Sequence, residues 1–237
     1  MACDTIVFAP HPDDAELHCG ATIAGLTRRG ARVVVIDCTR GELASRGSVA
    51  TRAEEAAAAS AALGLAGRHN LGLPDGALDR QPAALCTALA GCLRRHRPRL
   101  VLGMAVAARH PDHLALARAL APACKAAALH RHPSAAAGPA QTISRLLTYE
   151  AELPLAATLL LRAEEVDRER KRTAIACYAS QFTVDPALPT TSISQPGFLD
   201  WIDARGRVWG QHAGSVYAEA FCSPDSPLAL ADPLTDC

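Results

Sequence analysis

The chain has 237 residues, and its 24 basic and 24 acidic side chains give a formal net charge of zero, so no electrostatic attraction to nucleic acid or acidic lipid is predicted. Hydrophobic residues make up 49%, enough for a sizeable core, whereas aromatic residues at 4% argue against base-stacking platforms. No apolar run reaches the roughly 18 residues of a membrane-spanning helix, and residues 1–10 lack the basic start and long apolar core of a signal segment.

The nine cysteines do not form a disulfide pattern. Their number is odd, no two are spaced as CxxC, and most stand inside apolar strand or helix patterns, where cysteine acts as a small hydrophobic residue. These are Cys38, Cys86, Cys92, Cys124 and Cys177. We therefore expect reduced thiols and a cytoplasmic protein.

The first elements predict an α/β fold. An apolar strand at residues 5–8 precedes a helix at 15–29, and a strand follows within 31–38. The second strand contains the β-branched run at 33–36, which is typical of a parallel strand buried on both faces. Alternation of such strands with helices predicts a Rossmann-like, mostly parallel sheet with helices on both faces.

The remaining elements continue this alternation. We expect a loop near the substrate at 39–50, and in chain order helix 53–65, edge strand 68–71, loop 72–79, helix 82–97, strand 100–104, helix 113–130, loop 132–141, strands 144–149 and 158–161, helix 164–182, loop 185–195, a helix around 197–208 and strand 215–221. Pro122 should kink or break its helix. Residues 1–237 are interpreted as one domain, in which the part after about residue 130 could form a smaller lobe and the C-terminus is loosely held.

A metal-binding pattern follows the first strand. The segment Phe8-Ala9-Pro10-His11-Pro12-Asp13-Asp14 places His11 and Asp14 three residues apart at a strand-to-helix turn, where both side chains can point into one cavity. Imidazole and carboxylate are ligands of catalytic zinc, and Asp13 between them is left as a free base. Each residue alone would more simply be a helix cap or a solvated side chain.

A second turn of the same kind lies about a hundred residues further on. Arg109-His110-Pro111-Asp112-His113 follows the predicted strand at 100–104 and opens a helix. Ligands of open α/β sheets bind at the carboxyl ends of the strands, so we expect both turns to meet there. His11, Asp14 and one of His110 or His113 would then make a three-ligand site with an open position for water.

At these motifs the chain resembles the PIG-L/LmbE-type zinc-dependent N-deacetylases, and among them the N-acetylglucosaminyl-malate deacetylases of bacillithiol biosynthesis. The resemblance runs nearly end to end. Besides the two turns it includes Thr39-Arg40-Gly41-Glu42-Leu43, Thr51-Arg52, Asn70-Leu71-Gly72-Leu73-Pro74-Asp75, Tyr178-Ala179-Ser180-Gln181-Phe182 and Tyr217-Ala218-Glu219-Ala220-Phe221. The two His-Pro-Asp turns are its specific part.

The resemblance implies a metal set and a base. It makes His11, Asp14 and His113 the ligands of Zn²⁺, with Fe²⁺ as the alternative because both ions accept two histidines and one carboxylate. It makes Asp13 the general base that activates the attacking water. From its position alone, Asp13 could simply cap the helix.

Four further residues receive roles beside the metal. His110 would polarise the amide oxygen or protonate the departing amine, with Asp112 fixing its tautomer. Arg52 and Arg109 would grip the malate carboxylates of the substrate. The simpler alternatives are a core-facing imidazole for His110, a helix cap for Asp112 and surface positions for both arginines.

One position departs from the family. Relatives often carry a tyrosine after a glycine in a late loop, where its hydroxyl can stabilise the oxyanion. This chain has Gln195-Pro196-Gly197-Phe198, and phenylalanine has no hydroxyl to donate. Oxyanion stabilisation would then depend on the metal and His110.

The function predicted from the sequence is a zinc-dependent removal of acetyl from an N-acetylglucosamine conjugate, with N-acetylglucosaminyl-malate as the favoured substrate. The alternatives are another amide conjugate (a mycothiol-type inositol conjugate, a thiol conjugate or an antibiotic intermediate) and a non-catalytic sugar- or nucleotide-binding protein. No Gly-rich phosphate motif follows the first strand, which disfavours a dinucleotide enzyme. We expect a small-molecule partner, no nucleic acid and no membrane, and the resemblance suggests a homo-oligomer.

Overall fold

The computed structural model describes residues 2–223, and within them seven strands form one mixed sheet. The strands are β1 (Thr5–Ala9), β2 (Val33–Asp37), β3 (Gly67–Asn70), β4 (Leu100–Met104), β5 (Arg145–Tyr149), β6 (Leu159–Ala163) and β7 (Tyr217–Cys222). Their order across the sheet is β3-β2-β1-β4-β5-β7-β6. The predicted edge position of β3 is confirmed.

The helices are α1 (Asp14–Arg28), α2 (Val49–Leu63), α3 (Pro82–His96), α4 (Pro111–Ala128), α5 (Glu165–Ala176), α6 (Ala179–Phe182) and α7 (Phe198–Ala213). Short 3₁₀ turns cover Leu78–Arg80 and Pro133–Ala137. Within residues 2–223 no helix combines the length and the apolar character needed to cross a bilayer, and no disulfide joins the cysteines of this segment.

The sheet is mostly parallel, as predicted. The five strands from β3 to β5 run parallel, whereas β7 is antiparallel to both β5 and β6. The chain moves outward from β1 in one direction to β2 and β3, and then returns to place β4 on the other side of β1. This reversal makes the carboxyl ends of β1 and β4 the switch point where such folds bind ligands.

Two apolar layers cover the sheet. Val33 and Val35 of β2 pack in one layer with side chains of α1, α2 and α5, whereas Val34 and Ile36 pack in the other with side chains of α3 and α4. Successive side chains of a strand point to opposite faces, so both layers need apolar residues from the same strand. The prediction that this run is buried on both faces is confirmed.

Two helix predictions were wrong. The second helix begins at Val49 instead of residue 53, because Ser48 caps it by accepting a hydrogen bond from the Thr51 backbone N–H at 3.1 Å. The helix predicted over 164–182 is interrupted between α5 and α6, where the Tyr178 side chain is fully buried. Pro122 stands inside α4, which continues through it. The predicted loose C-terminus, beyond residue 223, lies outside the described residues.

Candidate metal centre

The two His-Pro-Asp turns lie side by side because their strands are neighbours in the sheet. β1 ends at Ala9 and pairs in parallel with β4, which ends at Met104, so both turns open at the same edge. The ring centroid of His11 is 4.9 Å from that of His110 and 5.4 Å from that of His113. The meeting of the two turns, which the sequence predicts, is therefore present in the structure.

Two imidazoles converge on one carboxylate oxygen. Asp14 Oδ2 lies 3.2 Å from His11 Nδ1 and 3.5 Å from His113 Nε2, and the ligand atoms of the three residues lie within 4.8 Å of one another. Ligands that hold zinc at about 2.1 Å in tetrahedral geometry are separated by about 3.4 Å. The donor set and its spacing therefore fit a divalent ion. His11, His110 and Asp112 form a second group within the same limits, but it shares His11 with the first.

Asp13, between His11 and Asp14 in the first turn, has an unusual backbone. Its φ of 110° lies in the left-handed region, which side-chain-bearing residues rarely adopt and which often marks functional sites. Its side chain is buried and makes no hydrogen bond to the helix that follows, so the capping alternative is wrong. Asp13 Oδ2 instead accepts a hydrogen bond of 2.8 Å from Arg52 Nη2.

Arg52 is buried within α2, so it is not the surface arginine of the simpler alternative. The same Nη2 also donates to the carbonyl oxygen of Pro12, and the guanidinium thereby joins the first turn to α2. A side chain at Gly41, which has a φ of +67°, would collide with this guanidinium. The glycine of the 39–43 loop is thus required for the close approach of Arg52 to Asp13.

The second turn uses its polar groups differently. His110 caps α4 by accepting the Asp112 backbone N–H at its Nδ1, 3.2 Å away. The carboxylate of Asp112 instead accepts backbone N–H groups of Gly76 at 2.7 Å and Leu78 at 3.0 Å, and its Oδ2 is 3.3 Å from His11 Nε2. The expectation that this carboxylate fixes the tautomer of His110 is therefore corrected, since its histidine contact is His11.

The remaining predicted site residue is Arg109, whose side chain is exposed at the edge of the turn. Its backbone N–H donates to Glu152 Oε2, which also accepts the His110 backbone N–H at 3.0 Å. The turn is thus held by a carboxylate from the loop after β5, while the Arg109 guanidinium is left accessible to a ligand.

Two acidic residues of the site were missed by the sequence analysis. Asp75 Oδ1 lies 3.0 Å from His11 Nε2, and its Oδ2 accepts the Leu43 backbone N–H at 2.9 Å. Glu152 Oε1 lies 3.6 Å from His113 Nδ1. Asp75 faces the nitrogen of His11 that is not directed at Asp14, and Glu152 faces the corresponding nitrogen of His113. A carboxylate that orients a metal-binding histidine usually lies at this nitrogen. Asp75 ends a motif of the resemblance, which is the one signal that could have identified it.

Phe198, at the position where relatives carry tyrosine, takes part in packing. It begins α7, stacks on Phe182 with ring centroids 6.2 Å apart and contacts Trp201 at 5.9 Å. This aromatic group borders a small apolar cluster that includes Leu17 of α1.

Comparison with known proteins identifies the family. The PIG-L family profile, described as GlcNAc-PI de-N-acetylase, matches residues 6–124, half of the chain, including both turns. The chain belongs to the PIG-L family of N-deacetylases. One curated relative is the uncharacterized deacetylase YaiS of Escherichia coli K12, 32% identical over 51% of this chain and 67% of that protein.

Solved structures of other proteins share this fold over nearly the whole chain. The conserved protein TT1542 of Thermus thermophilus is 38% identical, with a TM-score of 0.84 over 98% of both chains. The N,N'-diacetylchitobiose deacetylase of Pyrococcus horikoshii has a TM-score of 0.80 over 99% of this chain and 88% of that one, and at 20% identity it establishes the shared fold. The PIG-L assignment therefore agrees with the α/β architecture.

The electrostatics of the PIG-L site separate its two aspartates. Burial raises the pKa of Asp13 to about 7 despite the neighbouring Arg52, so this group is suited to exchange a proton near neutrality. For Asp14 burial acts in the same direction, but His113 and His11 outweigh it and hold the pKa well below its usual value. Asp14 is thus held as a carboxylate anion, whereas Asp13 can change its protonation state near neutral pH.

Proposed function

We propose that this PIG-L chain is a metal-dependent hydrolase that removes the acetyl group from an N-acetylglucosamine conjugate. The observation that carries the proposal is the convergence of His11 Nδ1, Asp14 Oδ2 and His113 Nε2, with the buried carboxylate of Asp13 adjacent in the chain. Two imidazoles and one carboxylate suit Zn²⁺, and they also suit Fe²⁺. A divalent ion bound there would acidify a water molecule and polarise the acetamide carbonyl.

Asp13 supplies the base. Its carboxylate takes one proton from the water that attacks the acetamide carbon, a role for which a group with a pKa of about 7 is well matched. Arg52 holds the same carboxylate through a 2.8 Å hydrogen bond and so restricts its orientation. We assign Arg52 this positioning role in addition to the substrate contact predicted from the resemblance.

His110 serves the opposite side of the reaction. Its imidazole is partly exposed, its Nδ1 is occupied by the α4 cap, and its Nε2 is therefore the atom available to the substrate. From Nε2 the neutral ring can donate a hydrogen bond to the developing oxyanion, while the proton that Asp13 took from the water passes to the departing nitrogen. The carbon–nitrogen bond of the acetamide breaks, and acetate and the free glucosamine amine are released.

N-acetylglucosaminyl-malate is the substrate that we propose within this class. The exposed guanidinium of Arg109 stands at the rim of the site, directly before His110, and a guanidinium matches a carboxylate bidentately. Malate offers such carboxylates, whereas plain N-acetylglucosamine offers none. Support for this finer assignment comes from the motif resemblance and from the accessibility of Arg109.

The test is acetate release by the zinc-loaded protein. We expect release from N-acetylglucosaminyl-malate, its loss after chelation and its return when Zn²⁺ is added. N-acetylglucosamine, an inositol conjugate and N,N'-diacetylchitobiose form the comparison set. Turnover of another conjugate in preference to the malate compound would reassign the substrate, and no acetate from any member would overturn the proposed function.

A further inference from the structure

A histidine outside the ligand set lies against the metal-binding aspartate. His18 stands one turn after Asp14 on α1, where side chains four residues apart face each other. Its Nε2 is 3.7 Å from Asp14 Oδ1, while Asp14 Oδ2 faces His11 and His113. The carboxylate is thus contacted from both sides, and the 3.7 Å separation is that of an electrostatic contact, longer than a hydrogen bond.

The tautomer of His18 follows from its other neighbour. Arg205 Nη2 lies 3.1 Å from His18 Nδ1, and a guanidinium has only donors, so Nδ1 must accept this hydrogen bond. A doubly protonated ring would place N–H against N–H. The single ring proton is therefore on Nε2, the nitrogen that lies 3.7 Å from Asp14 Oδ1. With both nitrogens engaged in this way, His18 is not available as a metal ligand.

Arg205 is itself fixed from several directions. It donates to the carbonyl oxygen of Ala151, its Nε is 3.3 Å from Glu150 Oε2, and its guanidinium carbon lies 4.9 Å from the ring centroid of Trp201. The indole N–H of Trp209 donates to the same oxygen of Glu150 at 2.7 Å. The cavity beside these groups measures about 10 Å³, the size of one water molecule, which argues against a ligand site.

We propose that His18 and Arg205 are positioning residues that orient Asp14 for metal binding. The Arg205 guanidinium fixes the tautomer of His18, and the N–H of His18 attracts Asp14 Oδ1, so that Oδ2 is presented to the ion. This inference rests on the proposed function in one respect, that Asp14 is a metal ligand. Carboxylates and imidazoles behind a ligand commonly set metal affinity in this way.

The experiment measures Zn²⁺ affinity by competition with a chelating dye, together with the visible absorption spectrum of the Co²⁺-loaded protein. His18→Leu removes the N–H and should weaken Zn²⁺ binding by about tenfold, with a changed Co²⁺ spectrum. His18→Gln keeps a donor near the position of Nε2 and should recover most of the affinity. Arg205→Met leaves the tautomer of His18 unspecified and should weaken binding by less than His18→Leu.

Trp209→Phe is the control, because it removes a partly buried hydrogen bond from the same region and is linked to His18 only through Glu150 and Arg205. In the metal-free state, thermal unfolding should show a loss of stability for His18→Leu and for Trp209→Phe. Of these two variants, only His18→Leu should change the Zn²⁺ affinity. Wild-type affinity and Co²⁺ spectrum in His18→Leu, or an equal loss of affinity in Trp209→Phe, would overturn the inference. If the wild-type protein bound no Zn²⁺, the proposed function would fail together with it.

Discussion

The two turns of the site share a His-Pro-Asp sequence, but the backbone and the hydrogen-bond partners of the aspartate differ between them. In the first turn Asp13 adopts a left-handed backbone, and its buried carboxylate is paired with Arg52. In the second, His110 makes an ordinary helix cap, and the carboxylate of Asp112 accepts backbone N–H groups of residues 76–78. The aspartate that follows the proline thus pairs with a guanidinium in one turn and accepts backbone N–H groups in the other.

This difference shows that a motif predicts where a residue lies better than what its side chain does. Both turns follow from strand ends at one edge of a parallel sheet, which is a property of the local sequence and topology. The direction of each aspartate depends on partners far away in the chain, Arg52 for Asp13 and the backbone after Asp75 for Asp112. Four substitutions test how far the two turns differ.

The largest effect is expected for Asp13→Asn. Asparagine tolerates the left-handed backbone and keeps the side-chain size, but it cannot take up the proton, so turnover should fall by about 10²–10⁴-fold while Zn²⁺ is retained. Acetate release and metal content measure the two properties. Asp79→Asn, at an exposed carboxylate of the neighbouring 3₁₀ turn, is the control. Near-normal turnover in Asp13→Asn would remove this residue from the mechanism.

His110→Ala should have the next largest effect. It removes the proposed hydrogen-bond donor to the oxyanion, so we expect a loss of kcat of about a hundredfold, with Zn²⁺ still bound by the three proposed ligands. Stability should also fall because the α4 cap is lost, and thermal unfolding separates this contribution. An unchanged rate would return His110 to a purely structural role.

Asp75→Asn tests the carboxylate behind His11. Burial alone would raise the pKa of Asp75, but hydrogen bonds from His11 and the Leu43 backbone outweigh it and lower the pKa to about 2, so the group is anionic at neutral pH. Its neutral replacement should weaken Zn²⁺ binding by about tenfold. Asp112→Asn, whose carboxylate also lies 3.3 Å from His11 Nε2, should in addition cost about 1 kcal/mol in the free energy of unfolding through its weakened backbone contacts. Equal Zn²⁺ affinity of Asp75→Asn and wild type would count against the orienting role.

Arg109→Ala should have the smallest effect. We expect a KM for N-acetylglucosaminyl-malate raised by about tenfold, the value of one charged hydrogen-bonding contact, and little change with plain N-acetylglucosamine. Steady-state kinetics on both substrates provide the measurement. An equal loss on both would place Arg109 in the support of the turn and would remove it from malate recognition.

Much of the fold could be predicted from local sequence. The β-branched run of β2, the apolar strands before each turn and the glycine after α1 predict the sheet and its order of elements. The interruption between α5 and α6 could not be predicted, because the helical pattern continues through it. Tyr178 leaves that pattern to be buried, and its hydroxyl lies 3.3 Å from the carboxylate of Glu16 on α1.

For the site, too, local sequence predicts the motifs but not the contacts made by distant residues. His11 and Asp14 are local neighbours, and topology predicts that His110 or His113 lies beside them. The choice of His113 came from the family resemblance. Asp75, Glu152 and Arg205 reach the site from separate loops and from α7, and apart from the motif that ends at Asp75 nothing in their local sequence marks them as partners of a histidine. Only the folded chain brings these charges to the ring nitrogens.

The most direct measurement of the central claim is the anomalous diffraction signal of crystals of the zinc-loaded protein. One peak per chain should lie about 2.0–2.2 Å from His11 Nδ1, Asp14 Oδ2 and His113 Nε2. A peak between His11, His110 and Asp112, or no peak at this edge of the sheet at saturating Zn²⁺, would contradict the account.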